Sequence, residues 1–305
     1  MDLPKHVFFE GKIVPFEDAK VSVATQALHY GTAVFGGIRG YWNDEKKKLY
    51  IFRPYDHYRR LLNSGRMMNM QLPYDEEGLI QLTLDLVRTE GWQTDIYIRP
   101  LIYKADLGIG VRLHDLRDEL TIFSMPFQLY VKNDTNAHVT ISSWRRIDDN
   151  VIPARGKISG AYANSALIKT DAVRSGFDEA LVLDHNGHVS EGSAMNIFMV
   201  RDGVVITPPI TDNILEGITR RTVMELAKNE LGLPVVERSI DRTELYICDE
   251  LFMTGSAAQI VAITKVDYRS VGKGEMGPVA GKLRELFNEI VRARNPKYTH
   301  WNVAT

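Results

Sequence analysis

The chain has 305 residues, 44% of them apolar and 25% charged, with a net charge of −2. This composition suits a globular protein with room for one large domain or two medium ones. The near-neutral balance gives no field to draw nucleic acid or an anionic membrane, and the single cysteine, Cys248, rules out an internal disulfide framework.

In chain order, residues 7–14 predict a β-hairpin turning at Glu10-Gly11. Residues 33–42 and 48–52 predict strands around a charged turn. Pro54 opens a helix at its favoured first position, running through Tyr58, Leu61 and Leu62 to Met68. Residues 75–90 repeat apolar side chains at helical spacing (Leu79, Leu82, Leu86, Val87). Residues 95–103 and 120–125 predict strands. Residues 128–136 are polar and aperiodic and predict an interdomain connection. A strand at 138–144 precedes a helix at 161–175. A hairpin at 180–189 turns at Asn186-Gly187. Strands at 195–200 and 204–207, a helix at 217–231, strands at 234–240 and 249–254 and a helix at about 278–293 complete the reading. Mixed strands and helices in two blocks predict an α+β architecture: an N-terminal domain over 1–127 and a larger C-terminal domain over 137–305. Met1-Asp-Leu-Pro-Lys lacks a basic start and no apolar core follows, so no secretory signal is expected. No apolar run reaches membrane-spanning length. A cytoplasmic protein is the expectation.

Lys157 stands in Pro153-Ala-Arg-Gly-Lys-Ile-Ser-Gly-Ala-Tyr-Ala-Asn164, among small residues that leave room for a bulky ring. An amine that forms an imine must lose its proton, which burial favours. Glu191, in Ser190-Glu-Gly-Ser193, is a carboxylate just past a hairpin. A carboxylate on a pyridine nitrogen keeps that nitrogen protonated and the ring electron-withdrawing. The pair suits pyridoxal phosphate, carried by Lys157 as an imine and held at its ring by Glu191. Gly217, in Leu215-Glu-Gly-Ile-Thr-Arg-Arg-Thr222, opens a helix whose first N–H groups, those of Ile218 and Thr219, can hold a phosphate. Ser256, in Met253-Thr-Gly-Ser-Ala-Ala258, offers further donors, and Arg60 is a candidate cation for the same phosphate. Taken singly, each also fits an ordinary surface lysine, turn carboxylate, helix start or surface arginine. Gly108-Ile-Gly-Val111 is too short for a dinucleotide fingerprint, and 272–277 lacks phosphate-loop spacing. The eight histidines show no metal-ligand spacing on one element, so no metal is expected.

Together these segments resemble the class IV, fold type IV pyridoxal-phosphate enzymes, most closely the branched-chain amino acid aminotransferases. The resemblance also takes in Leu28-His-Tyr-Gly-Thr-Ala-Val-Phe35, Tyr97-Ile-Arg-Pro-Leu101 and Ser142-Ser-Trp144. It implies a two-domain fold like that of D-amino-acid aminotransferase, with the cofactor at the domain interface, and transamination of Leu, Ile and Val with 2-oxoglutarate. Lys157 is then the imine lysine and proton shuttle, Tyr162 the partner of the ring hydroxyl and Glu191 that of the ring nitrogen. Arg60, Ile218, Thr219 and Ser256 bind phosphate, beside Leu215 and Gly217. Tyr97 and the 256–257 backbone, including Ala257, take the α-carboxylate. Arg99 takes the distal carboxylate of glutamate, with Tyr30 nearby, and Phe35 and Trp144 wall an apolar pocket. Val111 reaches a neighbouring subunit's site, implying at least a homodimer.

One pocket that accepts both an apolar side chain and a carboxylate needs an apolar wall with an arginine at its rim. Two departures from the family pattern stand out. Gly36 replaces a common acid, which leaves room for activity on (R)-primary amines or D-amino acids. Ser256 replaces a usual threonine and keeps the hydroxyl. An aminodeoxychorismate-type lyase is a further rival that the apolar pocket and Arg99 disfavour. Intact Lys157 and Glu191 argue against a non-catalytic relic.

Overall fold

The computed structural model describes residues 3–127, 131 and 133–305. By internal contacts the chain divides into two units. The first comprises Met1–Gln128, Gly156–Ala161 and Glu289–Thr305; the second, Leu129–Arg155 and Tyr162–Asn288.

The first unit contains β1 (His6–Phe9), β2 (Lys12–Pro15), α1 (Gln26–Tyr30), β3 (Ala33–Phe35), β4 (Ile38–Asn43), β5 (Lys48–Phe52), α2 (Pro54–Met67), α3 (Glu76–Glu90), β6 (Ile96–Lys104) and β7 (Asp118–Pro126). Its sheet runs from the C-terminal strand Asn302–Ala304 through β5, β4, β6, β7 and β1 to β2, with β3 also on β6. The first hairpin turns at Glu10-Gly11, with Gly11 at φ +84°. Pro54 opens α2, and Tyr58 and Leu61 on its buried face pack inward. The Tyr58 hydroxyl meets that of Thr83 on α3. Asp75 caps α3 by accepting the Gly78 N–H at 2.9 Å, and Gly91 closes it in the left-handed region.

The strand expected over 33–42 is broken at Gly36-Gly37, where β3 hands over to β4. Gly36 N–H donates to the Pro100 carbonyl at 2.8 Å. A Cβ on Gly36 would lie 2.6 Å from Pro100 Cγ, and one on Gly37 2.2 Å from the Tyr97 hydroxyl. Two adjacent glycines let the backbone lie this close to Pro100 and the Tyr97 hydroxyl without displacing either.

The second unit contains β8 (Ala137–Arg145), α4 (Tyr162–Arg174), β9 (Glu179–Leu183), β10 (Val189–Gly192), β11 (Asn196–Arg201), β12 (Val204–Thr207), α5 (Ile218–Asn229), β13 (Val235–Glu237), β14 (Glu250–Gly255), β15 (Gln259–Val266) and β16 (Arg269–Ser270). A last helix, α6 (Pro278–Val291), follows. The sheet order is β10, β9, β8, β15, β14, β11, β12, β13, with β16 on β15. It is mixed, because β8 runs parallel to β9 and β15, and β12 parallel to β13. Val139, Leu181, Ile197, Met199, Met253 and Val261 form its core. Ile168 and Ala172 of α4 cover Ala180 and Val182 on another cluster.

The division differs from the sequence expectation in two respects. Segment 156–161, which carries Lys157, groups with the first unit and not with the large C-terminal one. The reason is backbone pairing: Phe35 N–H donates to the Lys157 carbonyl at 3.0 Å, and Gly160 N–H to the Gly31 carbonyl at 3.1 Å. The chain's end groups there too, through pairing with β5. Residues 128–130 and 132 of the expected connection lie outside the described residues.

Candidate active site

Lys157 is half-buried in the first unit and joins β3 and α2. Its N–H donates to Ser64 Oγ at 3.1 Å, while Ser64 in turn donates to the Arg60 carbonyl at 2.8 Å. Ser64 lies one turn after Arg60 on α2, so the two cations are tied to one framework. Val34 bridges Ile158, and the Lys157 amine sits 4.9 Å from the centre of the Phe35 ring. Gly31 and Gly160 make this approach possible: a Cβ on Gly31, itself at φ +64°, would lie 2.7 Å from Gly160 Cα.

Alternation along β6 puts Tyr97 and Arg99 on one face. Arg99 donates to the Tyr97 hydroxyl at 3.1 Å, and its guanidinium lies 4.6 Å from the Phe35 ring centre. Phe35 is thus shared by the lysine amine and the guanidinium, an aromatic surface with a cation at its margin. Tyr30 ends α1, and its hydroxyl accepts the Gly110 N–H at 3.1 Å. Val111, in the same loop, is 86% exposed.

The second unit holds the other half of the expected residues. Glu191 is 4% exposed on β10, immediately after a bulge at Ser190. A bulge re-aims the side chain beside it. Arg146 approaches Glu191 Oε1 at 3.0 Å. Asn196 Nδ2 and the Leu215 N–H both donate to Oε2 at 3.1 Å. Three donors, one of them a guanidinium, favour the ionised carboxylate despite its burial.

Asn196 also donates to the Leu215 carbonyl at 2.9 Å, linking Glu191 to the start of α5. A Cβ on Gly217, which caps that helix, would lie 2.0 Å from Asn196 Oδ1. Glycine is therefore required there by a neighbour and not by its own dihedral angles. The first turn of α5 leaves the N–H groups of Ile218 and Thr219 without helical acceptors, and both residues are buried. Ser256 and Ala257 lie in the turn between β14 and β15, next to a buried Thr254 hydroxyl that has no hydrogen-bond partner among the described residues. Tyr162 is the first residue of α4. Trp144, at the end of β8, is 40% exposed and donates its indole N–H to Asp171 at 2.8 Å.

These groups fit pyridoxal phosphate. An ionised buried carboxylate suits a protonated ring nitrogen, a glycine-capped helix start suits the phosphate, and an amine held over an aromatic ring suits the aldehyde. Arg146, Asn196 and Ser64 escaped sequence reasoning. Asn196 alone leaves a trace, as a polar residue at the head of the apolar run Ile197-Phe-Met-Val200. Cys248, with no reactive context in the sequence, has its thiol pushed up to about 12 by burial.

Comparison with known proteins agrees with this chemistry. The family model described as amino-transferase class IV matches residues 34–266. A probable branched-chain-amino-acid aminotransferase of Aquifex aeolicus is 46% identical over 294 residues, covering 96% of this chain and 94% of that one. The branched-chain-amino-acid aminotransferase of Escherichia coli K12 is 39% identical over 286 residues, covering 92% and 91%. Among solved structures, the branched-chain aminotransferase of Thermoproteus uzoniensis with norvaline superposes with a TM-score of 0.94 at 40% identity, covering 99% of each chain. The enzyme from Thermobaculum terrenum in its PLP form gives 0.95 at 39% identity, covering 100% and 99%.

Proposed function

The chain belongs to the class IV aminotransferases, and we propose that it interconverts branched-chain L-amino acids and 2-oxoglutarate with branched-chain 2-oxo acids and L-glutamate, using pyridoxal 5′-phosphate. The observation that carries this reading is the buried Glu191 carboxylate, fixed by Arg146, Asn196 and the Leu215 N–H. A carboxylate so held serves a protonated ring nitrogen. The relatives support the substrate class, and one solved neighbour, 40% identical, is complexed with N-(5′-phosphopyridoxyl)-L-glutamate.

Bound pyridoxal phosphate supplies the electron sink that lets a substrate Cα–H bond break. The Lys157 amine would take up the proton released from the substrate Cα and hold it for return, acting as the proton shuttle. Tyr162 holds the ring hydroxyl. Arg60, the Ile218 and Thr219 N–H groups, the Thr219 hydroxyl and Ser256 hold the phosphate, with Leu215 and Gly217 shaping the turn. Tyr97 and the 256–257 backbone orient the α-carboxylate, which aligns the Cα–H bond for Lys157. Phe35 and Trp144 form the apolar wall for Val, Leu and Ile. Arg99, next to Tyr30, receives the second carboxylate of glutamate. One pocket thus serves both partners, since the carboxylate meets a cation already seated on an aromatic face.

In this reading Val111 completes a neighbouring copy's site in a homodimer. Among the described residues no helix is long and apolar enough to cross a membrane, in keeping with a cytoplasmic enzyme. Gly36, which stands where the family commonly has an acid, leaves room for a side activity on (R)-primary amines.

Mixing the cofactor-loaded protein with L-leucine, D-alanine or (R)-1-phenylethylamine tests the assignment through the absorbance of the lysine-bound cofactor. L-Leucine converts it fast and 2-oxoglutarate restores it. Conversion by D-alanine or the amine alone overturns the branched-chain reading.

A further inference from the structure

We propose that the turn between β9 and β10 binds one divalent cation of the zinc or manganese type through Asp184, His188 and Asp212. One carboxylate oxygen from each aspartate and a ring nitrogen of His188 lie within 4.8 Å of one another. Ligand atoms on a tetrahedral ion with bonds of roughly 2.2 Å stand about 3.6 Å apart. The cluster therefore closes with shifts of up to about one ångström. His188, whose side chain is 36% exposed on the turn, can supply them.

The two carboxylates are otherwise poorly compensated. Asp184 is 1% exposed and Asp212 6%. Among the described residues neither has a lysine or arginine at ion-pair distance. Asp184 Oδ1 accepts the Asn186 and His188 N–H groups, each at 2.9 Å, so the turn itself aims this carboxylate. Its Oδ2 has only a 3.4 Å contact with Asn186 Nδ2. Asp212 Oδ1 accepts from Ser239 Oγ at 3.2 Å, whereas its buried Oδ2 has no hydrogen-bond partner among the described residues. A buried carboxylate with one oxygen lacking a donor, clustered with a second carboxylate and an imidazole, is what a cation would satisfy. Burial, with the Asp184 charge adding to it, pushes the Asp212 carboxyl above its usual range. Mixed imidazole and carboxylate ligation favours zinc, manganese or cobalt over calcium or magnesium.

The place gives the ion a structural role. The Asp212 carbonyl accepts Ser190 Oγ at 2.7 Å, and Ser190 is the bulge residue before Glu191. The Asn213 carbonyl accepts Arg146 Nε at 2.9 Å, and Arg146 grips Glu191. A cation on Asp212 would brace both supports of that carboxylate.

The test uses the cofactor-loaded protein after dialysis against a chelator. Manganese is titrated in, with free ion followed by its paramagnetic resonance and melting followed in parallel. One saturable site per chain is expected, with melting raised by about 5 °C at roughly a hundredfold excess over the dissociation constant. Asp212→Asn and His188→Gln abolish both effects. Asp184 is left intact because its Oδ1 folds the turn. Uptake that is not saturable, or that Asp212→Asn leaves unchanged, overturns the proposal. So does an Asp212→Asn variant that melts above the parent while neither protein responds to the ion, because the carboxyl is then simply protonated.

Discussion

Replacing Gly217 by alanine separates a local backbone effect from a packing effect of opposite sign. Gly217 has φ −68°, which alanine adopts freely. From the unfolded chain alone the change should stabilise by about 0.4–1 kcal/mol. The added Cβ, however, would lie 2.0 Å from Asn196 Oδ1 and 3.2 Å from Asn196 Cγ. Asn196 is 5% exposed and must move. It then loses its bond to the Glu191 carboxylate, worth about 1.5–3 kcal/mol, and its bond to the Leu215 carbonyl, worth about 1 kcal/mol. The net expectation is a loss of about 2–3 kcal/mol, read from urea denaturation of the cofactor-loaded protein. In an Asn196→Ala background the closest obstacle is gone, only Arg220 Cβ remaining at 3.2 Å, and the same change should cost under about 1 kcal/mol, a coupling that a double-mutant cycle measures. The reasoning is refuted if Gly217→Ala matches or exceeds the parent, or costs the same in both backgrounds.

Arg99→Gln should raise KM for 2-oxoglutarate by about 10–100-fold, since a charge-assisted bond to a carboxylate is worth about 1.5–3 kcal/mol. The half-reaction with L-leucine should change only a few-fold, and equal losses for both substrates would remove Arg99 from the distal carboxylate. Arg146→Met removes a guanidinium from the buried Glu191 carboxylate and should destabilise by about 3 kcal/mol, with Arg146→Lys recovering part; a neutral melting curve would contradict that pairing. Glu244 is held down to about 2, chiefly by its hydrogen bond from Arg238. A depressed carboxyl contributes stability above its unfolded value of 4.5, lost as pH falls through about 2. The melting difference between parent and Glu244→Gln should therefore be flat above about pH 5 and shrink in acid; a difference that grows in acid reverses the sign.

Elements with a strong local period were legible. Helices at α2, α3 and α5 and the hairpins at Glu10-Gly11 and Asn186-Gly187 fall where capping, apolar spacing and turn residues put them, with ends shifted by a residue or two. The run 259–266 is β15, inside the sheet, and its β-branched Ile260-Val-Ala-Ile-Thr264 is a strand signal that went unread. The strand expected at 234–240 shortens to Val235–Glu237, since Arg238 turns away to pair with Glu244. Helix α1 has five residues and the C-terminal strand three, too few to show a period. In the candidate site, Lys157, Glu191 and Gly217 were legible as residue types suited to a chemistry. Arg146 and Asn196 were not, because their importance lies in which carboxylate they reach across the sheet, and no spacing along the chain encodes that.

Borohydride reduction of the cofactor-loaded protein, followed by peptide mapping, tests the central assignment most directly. The cofactor label should be found on Lys157, in the peptide leading into Ile158-Ser-Gly160. Label on any other lysine, or none at all, would contradict it.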